Sequence, residues 1–126
     1  MTELPDWVRQ LDMAPHPEGG YFRETWRSDL TIGESVLPPD YNGPRSAELW
    51  FHHRGSPLLL EIGRERDNAT THVLGPDITA GEHPQLLVPP GYWQRARPRD
   101  AEAALVSCVV VPGFDFADFA LGSPTD

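Results

Sequence analysis

The chain has 126 residues, the length of one domain, with 39% hydrophobic residues and a formal charge of −9 from 10 basic against 19 acidic side chains. Every one of those basic side chains is arginine; lysine does not occur. A body this acidic repels phosphate backbones and anionic lipid, which argues against nucleic acid and membrane surfaces as partners.

No apolar run approaches the roughly 18 residues of a membrane span. The opening "MTELPDWVRQ" lacks the basic start and apolar middle of a secretory leader. A cytoplasmic single domain over residues 1–126 is expected, with a helical segment at 1–14, a β-barrel over 15–122 and a short tail at 123–126. The single Cys108 excludes an internal disulfide and a cysteine-based zinc cluster.

In chain order, Leu4, Trp7, Val8 and Leu11 recur at helical spacing, and Pro5 suits a first turn, so a helix is expected from about Leu4 to Met13. "APHPEGG" breaks it. Gly19 and Gly20 allow a tight turn or bulge, after which "YFRETW" alternates as a strand does. "LTIGESVLPPDYNGPRSA" is rich in Pro and Gly and reads as an ordered surface loop with room for one short strand. "ELWFHH" alternates again. "PLLLEIG", "THVLG", "QLLVP" and "AALVSCVVV" are short apolar runs bounded by Gly, Pro or Asp. Cys108 lies in the last run and is expected to be a small buried hydrophobe. Phe114, Phe116 and Phe119 are expected to plug a barrel end or a dimer seam. The 14 prolines and 11 glycines are spread along the chain, as in many short strands joined by turns. An all-β sandwich or barrel with one leading helix follows.

The strand "ELWFHH" carries the densest chemistry. Alternation puts Glu48, Trp50 and His52 on one face and Leu49, Phe51 and His53 on the other. The two histidines therefore cannot chelate one ion together. Glu48 and His52 are separated by roughly 13 Å along the strand, too far to share a metal whose bonds are about 2.0–2.2 Å. The face instead reads as a pocket floor, with an acid, an aromatic platform and an imidazole. Each residue alone also has a plainer role: Glu48 pairing with an arginine, Trp50 filling core, His52 ending the strand. A carboxylate inside an apolar barrel is costly unless it is paired or used.

Four ordered blocks, "HPEGGYFRETWRS", "ELWFHHRGSPLLL", "GEHPQLLVPPGYWQRA" and "LVSCVVVPGFDFADFAL", resemble cupin type 5, a domain-of-unknown-function family of the cupin superfamily. The resemblance implies a double-stranded β-helix (jelly-roll) barrel. It also implies a homodimer and a ligand cavity similar in kind to that of RmlC-like sugar-nucleotide epimerases. Metal-binding cupins carry His-x-His, then Glu after three or four residues, then Gly after six more. Glu48 and Gly55 match the end of that signature, and no histidine stands upstream. The second signature ends Pro-x-Gly-x-x-His, and Pro89, Gly91 and Gln94 occupy it. One of four ligands survives, so no metal and no other cofactor is expected. Relatives usually carry a further strand–turn–strand between the "RSA" and "ELW" elements. This chain runs directly from Ala47 to Glu48. A shortened variant, a deletion, and a route in which "TIGESVLP" replaces the strand are all open explanations. A missing inner strand would expose an edge, and edges invite pairing.

The resemblance also makes His16, Glu18, Tyr21 and Arg23 candidates for the pocket rim, beside a purely structural role as a turn with an Arg–carboxylate pair. Gln85, Trp93 and Gln94 are further substrate-binding candidates. Trp93 is placed to stack on a ring or to cap the barrel. Gln94, at the lost histidine position, would hydrogen-bond a polar group. The expected ligand is a small polar molecule, sugar-like or nucleotide-sugar-like. Any catalysis would be metal-independent isomerisation or epimerisation, with Glu48 or His16 moving a proton and Tyr21 or His52 assisting. The alternatives are a non-catalytic ligand sensor and a degenerate barrel that acts only through dimerisation.

Overall fold

A computed structural model describes residues 4–17, 19–29 and 46–111. The chain divides into two compact units, residues 1–31 and 32–126. Residues 30–45 of the loop expected at 30–47, Glu18 and the phenylalanines beyond residue 111 lie outside the described residues.

In the first unit, helix α1 spans Asp6–Gln10, with Pro5 as its N-cap at φ −60 and ψ 147. Asp6 in the first turn and Arg9 in the last complement the helix dipole. The helix is shorter than the expected Leu4–Met13. It stops because Asp12 turns left-handed at φ 56, a conformation that a short polar side chain tolerates. Met13 N–H then closes the end on Val8 O. Two short strands follow, β1 (Ala14–Pro15) and β2 (Tyr21–Phe22), paired antiparallel as Ala14 with Phe22 and Pro15 with Tyr21. The turn between them uses Gly19 and Gly20 at φ 102 and 73. The strand expected through Trp26 ends at Phe22 instead, and Trp26 is 79% exposed. Its partner offers two positions, and one of them, Pro15, has no N–H to give.

The second unit holds six strands: β3 (Ala47–Gly55), β4 (Leu58–Gly63), β5 (Thr70–Leu74), β6 (Gln85–Val88), β7 (Trp93–Pro98) and β8 (Ala104–Val111). They form two three-stranded antiparallel sheets, in the orders β6-β3-β8 and β5-β4-β7. Each apolar run in the sequence becomes a strand because its alternate side chains find a facing sheet. In β4, Leu58, Leu60 and Ile62 are buried, and Leu60 is fully so. Leu60 and Ile62 meet Val88 of β6, with Trp50, Leu86 and Tyr92 packed around them. The core therefore lies between the two sheets.

One link between the sheets, from β6 to β7, is the turn Pro89–Pro90–Gly91, closed by Tyr92 N–H to Pro89 O at 3.3 Å. Gly91 sits at φ 82. Gly55 ends β3 at φ 83, and a β-carbon there would collide with the backbone carbonyl of Ala103 on the neighbouring chain segment. That is the physical demand behind the glycine seen seven residues after Glu48. Below it, Ser56 is 2% exposed. Its hydroxyl donates to Pro57 O and accepts from Asp100 N–H, both at 2.8 Å. The buried Glu82 carboxylate accepts from Asp77 N–H at 3.0 Å and from Arg99 at 3.2 Å. This polar knot joins the β3–β4 turn to the β7–β8 turn.

Ala47 and Glu48 are successive residues of one continuous ladder, opposite Val111 and Val110 of β8. The irregularity in β3 comes later, between His52 and Arg54. Cys108 corrects the sequence expectation: it is exposed. It faces inward opposite Trp50, but the core cluster is built on β3, β4 and β6, and β8 contributes nothing to it. An apolar run in a strand does not guarantee burial for every member.

Candidate functional site

β3 supplies Glu48 and Trp50 on the face that meets the second sheet, and β7 supplies Gln94 from the other side. The register sets this arrangement. Glu48 lies opposite Val88, and Trp50 opposite Leu86, while Gln94 lies opposite Ile62 of β4. Trp50 Nε1–H donates to Gln94 Oε1 at 2.9 Å, and Gln94 Nε2–H donates to Glu48 Oε2 at 2.7 Å. The three half-buried side chains thus form a directed chain across the sheet interface, from indole to amide to carboxylate. The Glu48 end is a charge-assisted bond, the stronger kind.

The chain leaves two groups uncommitted. Glu48 Oε1 accepts no hydrogen bond from the described residues. No buried side-chain polar atom among them lacks a partner, so this oxygen meets solvent. Gln94 Nε2 keeps its second N–H. An acceptor and a donor therefore stand side by side at the edge of an apolar interior.

The other candidates are placed differently. His52 shares the inward face with Trp50, opposite Val106, but its Nε2 lies 3.0 Å from Ser56 O. A carbonyl only accepts, so Nε2 carries the proton and holds the ring on the β3–β4 turn. Gln85 lies opposite Phe51, on the outer face of its sheet and away from Glu48. Trp93 is adjacent to Gln94 in β7 and points to the other face, where the Arg66 guanidinium lies 5.2 Å from its ring centre. The first unit holds His16, Tyr21 and Arg23. There His16 packs edge-on to Phe22 at 4.7 Å, Tyr21 is 40% exposed, and Arg23 donates to Leu11 O at 3.3 Å near the end of α1. Glu18 lies outside the described residues.

Among the described residues, no three His, Cys, Asp or Glu side chains converge on a point that could hold a metal ion. The donor set does not suit one either. At the position where a metal-binding cupin would present histidine, Gln94 offers an N–H to Glu48, and the carboxylate is engaged by an amide. Arg64 and Tyr92 were not singled out by sequence reasoning. Arg64 Nε–H donates to the Tyr92 hydroxyl at 3.1 Å, and this raises the arginine's already high pKa. The available signal was that each directly follows a strand-edge glycine, Gly63 or Gly91.

Comparison with known proteins agrees with this architecture. The model of the cupin superfamily family DUF985 matches residues 5–47 and 40–122, in two pieces that overlap over residues 40–47, up to the first residue of β3. The uncharacterised protein YML079W of Saccharomyces cerevisiae is 29% identical over 155 residues, covering 94% of this chain and 76% of that protein. An alignment of 155 residues on a chain of 126 means that the yeast protein has residues with no counterpart here. Among solved structures, protein SO0799 from Shewanella oneidensis superposes with a TM-score of 0.79 at 30% identity, covering 98% of this chain and 86% of that one. A hypothetical protein from Leishmania major gives a TM-score of 0.77 at 28% identity, over 94% and 86%. Among the described residues no helix is long and apolar enough to cross a membrane. With a family match that spans nearly the whole chain and two facing antiparallel sheets, the chain belongs to the cupin superfamily, in the family DUF985.

Proposed function

We propose that the chain binds a small polar molecule at the opening between its two sheets, gripped by Glu48 Oε1 and Gln94 Nε2 beside the Trp50 indole. The observation that carries this is the directed Trp50–Gln94–Glu48 chain. It fixes the amide orientation and leaves one acceptor next to one donor. Such a pair reads a hydroxyl or amide on the ligand, which suits a sugar-like ring. Binding stands ahead of isomerisation because, among the described residues, no second proton-moving side chain is bonded into the Trp50–Gln94–Glu48 chain. The nearest inward imidazole, His52, has its Nε2 proton committed to Ser56 O.

A thermal-shift panel of hexoses, nucleotide sugars and keto acids tests this reading. At least one hydroxyl-rich member is expected to stabilise the protein. Glu48→Gln keeps an acceptor for Gln94 but turns the free acceptor into a donor, and is expected to weaken that ligand by about tenfold or more. Absence of stabilisation across the panel, or equal affinity in Glu48→Gln, would sink the proposal. Deuterium uptake from solvent into the bound ligand separates catalysis from simple binding.

A second reading, action through self-association, is favoured by the outer face of β6-β3-β8. Leu87, Val109 and Val111 there are 53%, 49% and 59% exposed. Sedimentation of wild type against Val109→Asp tests it, and a monomeric wild type removes it.

A further inference from the structure

Three of the described arginines pair with carboxylates. Arg27 pairs with Glu24, Arg95 with Glu61, and Arg99 with Glu82 and Asp100. Arg64 does not. Its guanidinium lies over the Tyr92 ring, 5.5 Å from the centre, and spends only Nε on the tyrosine hydroxyl. No carboxylate among the described residues reaches its two Nη groups. A guanidinium anchored through Nε beside an aromatic ring keeps both Nη groups available to receive an oxyanion. Two residues on, the same loop lays Arg66 over Trp93, so two consecutive aromatics each carry a cation.

The position relative to the sheet opening matters as much as the charge. Arg64 directly follows Gly63, which pairs with Trp93, and Ile62 pairs with Gln94. Tyr92 packs on the same core cluster as Val88, and Val88 lies opposite Glu48. Tyr92, just before β7, and Gln94 within it are two residues apart, roughly 6–7 Å. The cation and the Glu48–Gln94 pair therefore stand at the same end of the sandwich, within reach of one small molecule. Glu65 and Asp67 flank Arg64 and Arg66 in sequence and are exposed, which limits how tightly a simple anion is held.

We propose that Arg64, seated on Tyr92, is an oxyanion subsite that takes the phosphate or carboxylate of a ligand whose polar ring is read by Glu48 and Gln94. The ligand class narrows accordingly, from any polar molecule to an acidic, hydroxyl-bearing one. The ring-reading half rests on the function proposed above; the anion subsite does not.

The test titrates inorganic phosphate, and separately acetate, into the full chain while following the backbone amide signals of Gly63, Glu65 and Tyr92 by NMR, which wild type and variants share. Saturable binding is expected at millimolar concentration for at least one anion, with the ratio of the two identifying which is preferred. Arg64→Gln, an exposed change that leaves the core intact, is expected to weaken it by about tenfold or more. Tyr92→Phe keeps the ring but frees Nε and is expected to weaken it less. Glu48→Gln is expected to leave simple anion binding in place. No saturable binding, or equal binding in wild type and Arg64→Gln, overturns the subsite. Anion binding at Arg64 with no response to any hexose or hexose phosphate leaves the subsite standing and removes the Glu48–Gln94 reading instead.

Discussion

In the sheet β5-β4-β7, the inward positions Leu58, Leu60, Ile62 and Leu74 are all buried, with Leu60 and Leu74 at 0% exposure. In the facing sheet β6-β3-β8, the inward positions include Glu48, Trp50, His52 and Cys108, and Val88 is the buried hydrophobe. The two sheets have the same number of strands and the same antiparallel pairing, yet the first buries four aliphatic side chains and the second a single one, with Gln94 and His72 as the polar inward positions of the first. The difference is affordable because hydrophobic burial needs one continuous dry surface, and a few strong contacts from the second sheet complete it. Polar groups then concentrate on the sheet that contributes less to that surface.

The largest effect is expected from emptying the aliphatic side. Leu60→Ala is expected to cost about 2–5 kcal/mol, measured by denaturant unfolding. A loss below about 1 kcal/mol would mean that the sheets share the load evenly. Next comes the polar chain across the interface. Gln94→Ala removes the acceptor of the Trp50 indole and the donor to Glu48, and is expected to cost about 1–3 kcal/mol. A neutral result would reduce the chain to decoration. On the outer face of the second sheet, Val109→Thr is expected to change stability by less than about 0.5 kcal/mol, since Val109 is 49% exposed; a large loss would reveal a partner on that face. The smallest effect lies outside both sheets. Arg27 bonds Glu24 and holds its carboxyl below the ordinary value of 4.5. A folded pKa below the unfolded one stabilises above the unfolded value, and that contribution fades as pH falls through the folded pKa. In Arg27→Ala the Glu24 midpoint is expected to rise toward the ordinary carboxylate range, as NMR titration would show, with thermal stability unchanged because the pair is exposed. An unmoved midpoint would discard that pairing.

Much of the architecture was legible from short apolar runs, because period-two alternation and flanking Gly and Pro define strands without any knowledge of their neighbours. The inward face of β3 was legible for the same reason, and the turn at Pro89–Gly91 from its residue types. What alternation could not supply was the partner of Glu48. Gln94 is 46 residues away and comes from the other sheet, so their meeting depends on how the sheets stack. Alternation applied strictly to "YWQ" would have separated Trp93 from Gln94, and applied to "QLLV" it would have put Gln85 opposite the face of Leu86 and Val88. The expected length of α1 failed at Asp12, whose left-handed backbone no periodicity announces. The expected strand from Tyr21 to Trp26 failed because alternation describes a strand's faces and says nothing about whether another strand offers it N–H groups. Cys108 failed because an apolar run records hydrophobicity, and burial also requires something on the opposite side.

The Trp50–Gln94–Glu48 chain has one more consequence. An amide that accepts at one end and donates at the other couples its neighbours, since each bond in such a series polarises the next. A ligand group that donates to Glu48 draws charge from the carboxylate, slackens its hold on Gln94, and alters the field at the Trp50 indole. The protein therefore carries an intrinsic optical reporter of its own opening. With Trp7, Trp26 and Trp93 replaced by phenylalanine, the emission of Trp50 alone would register occupancy without any added label.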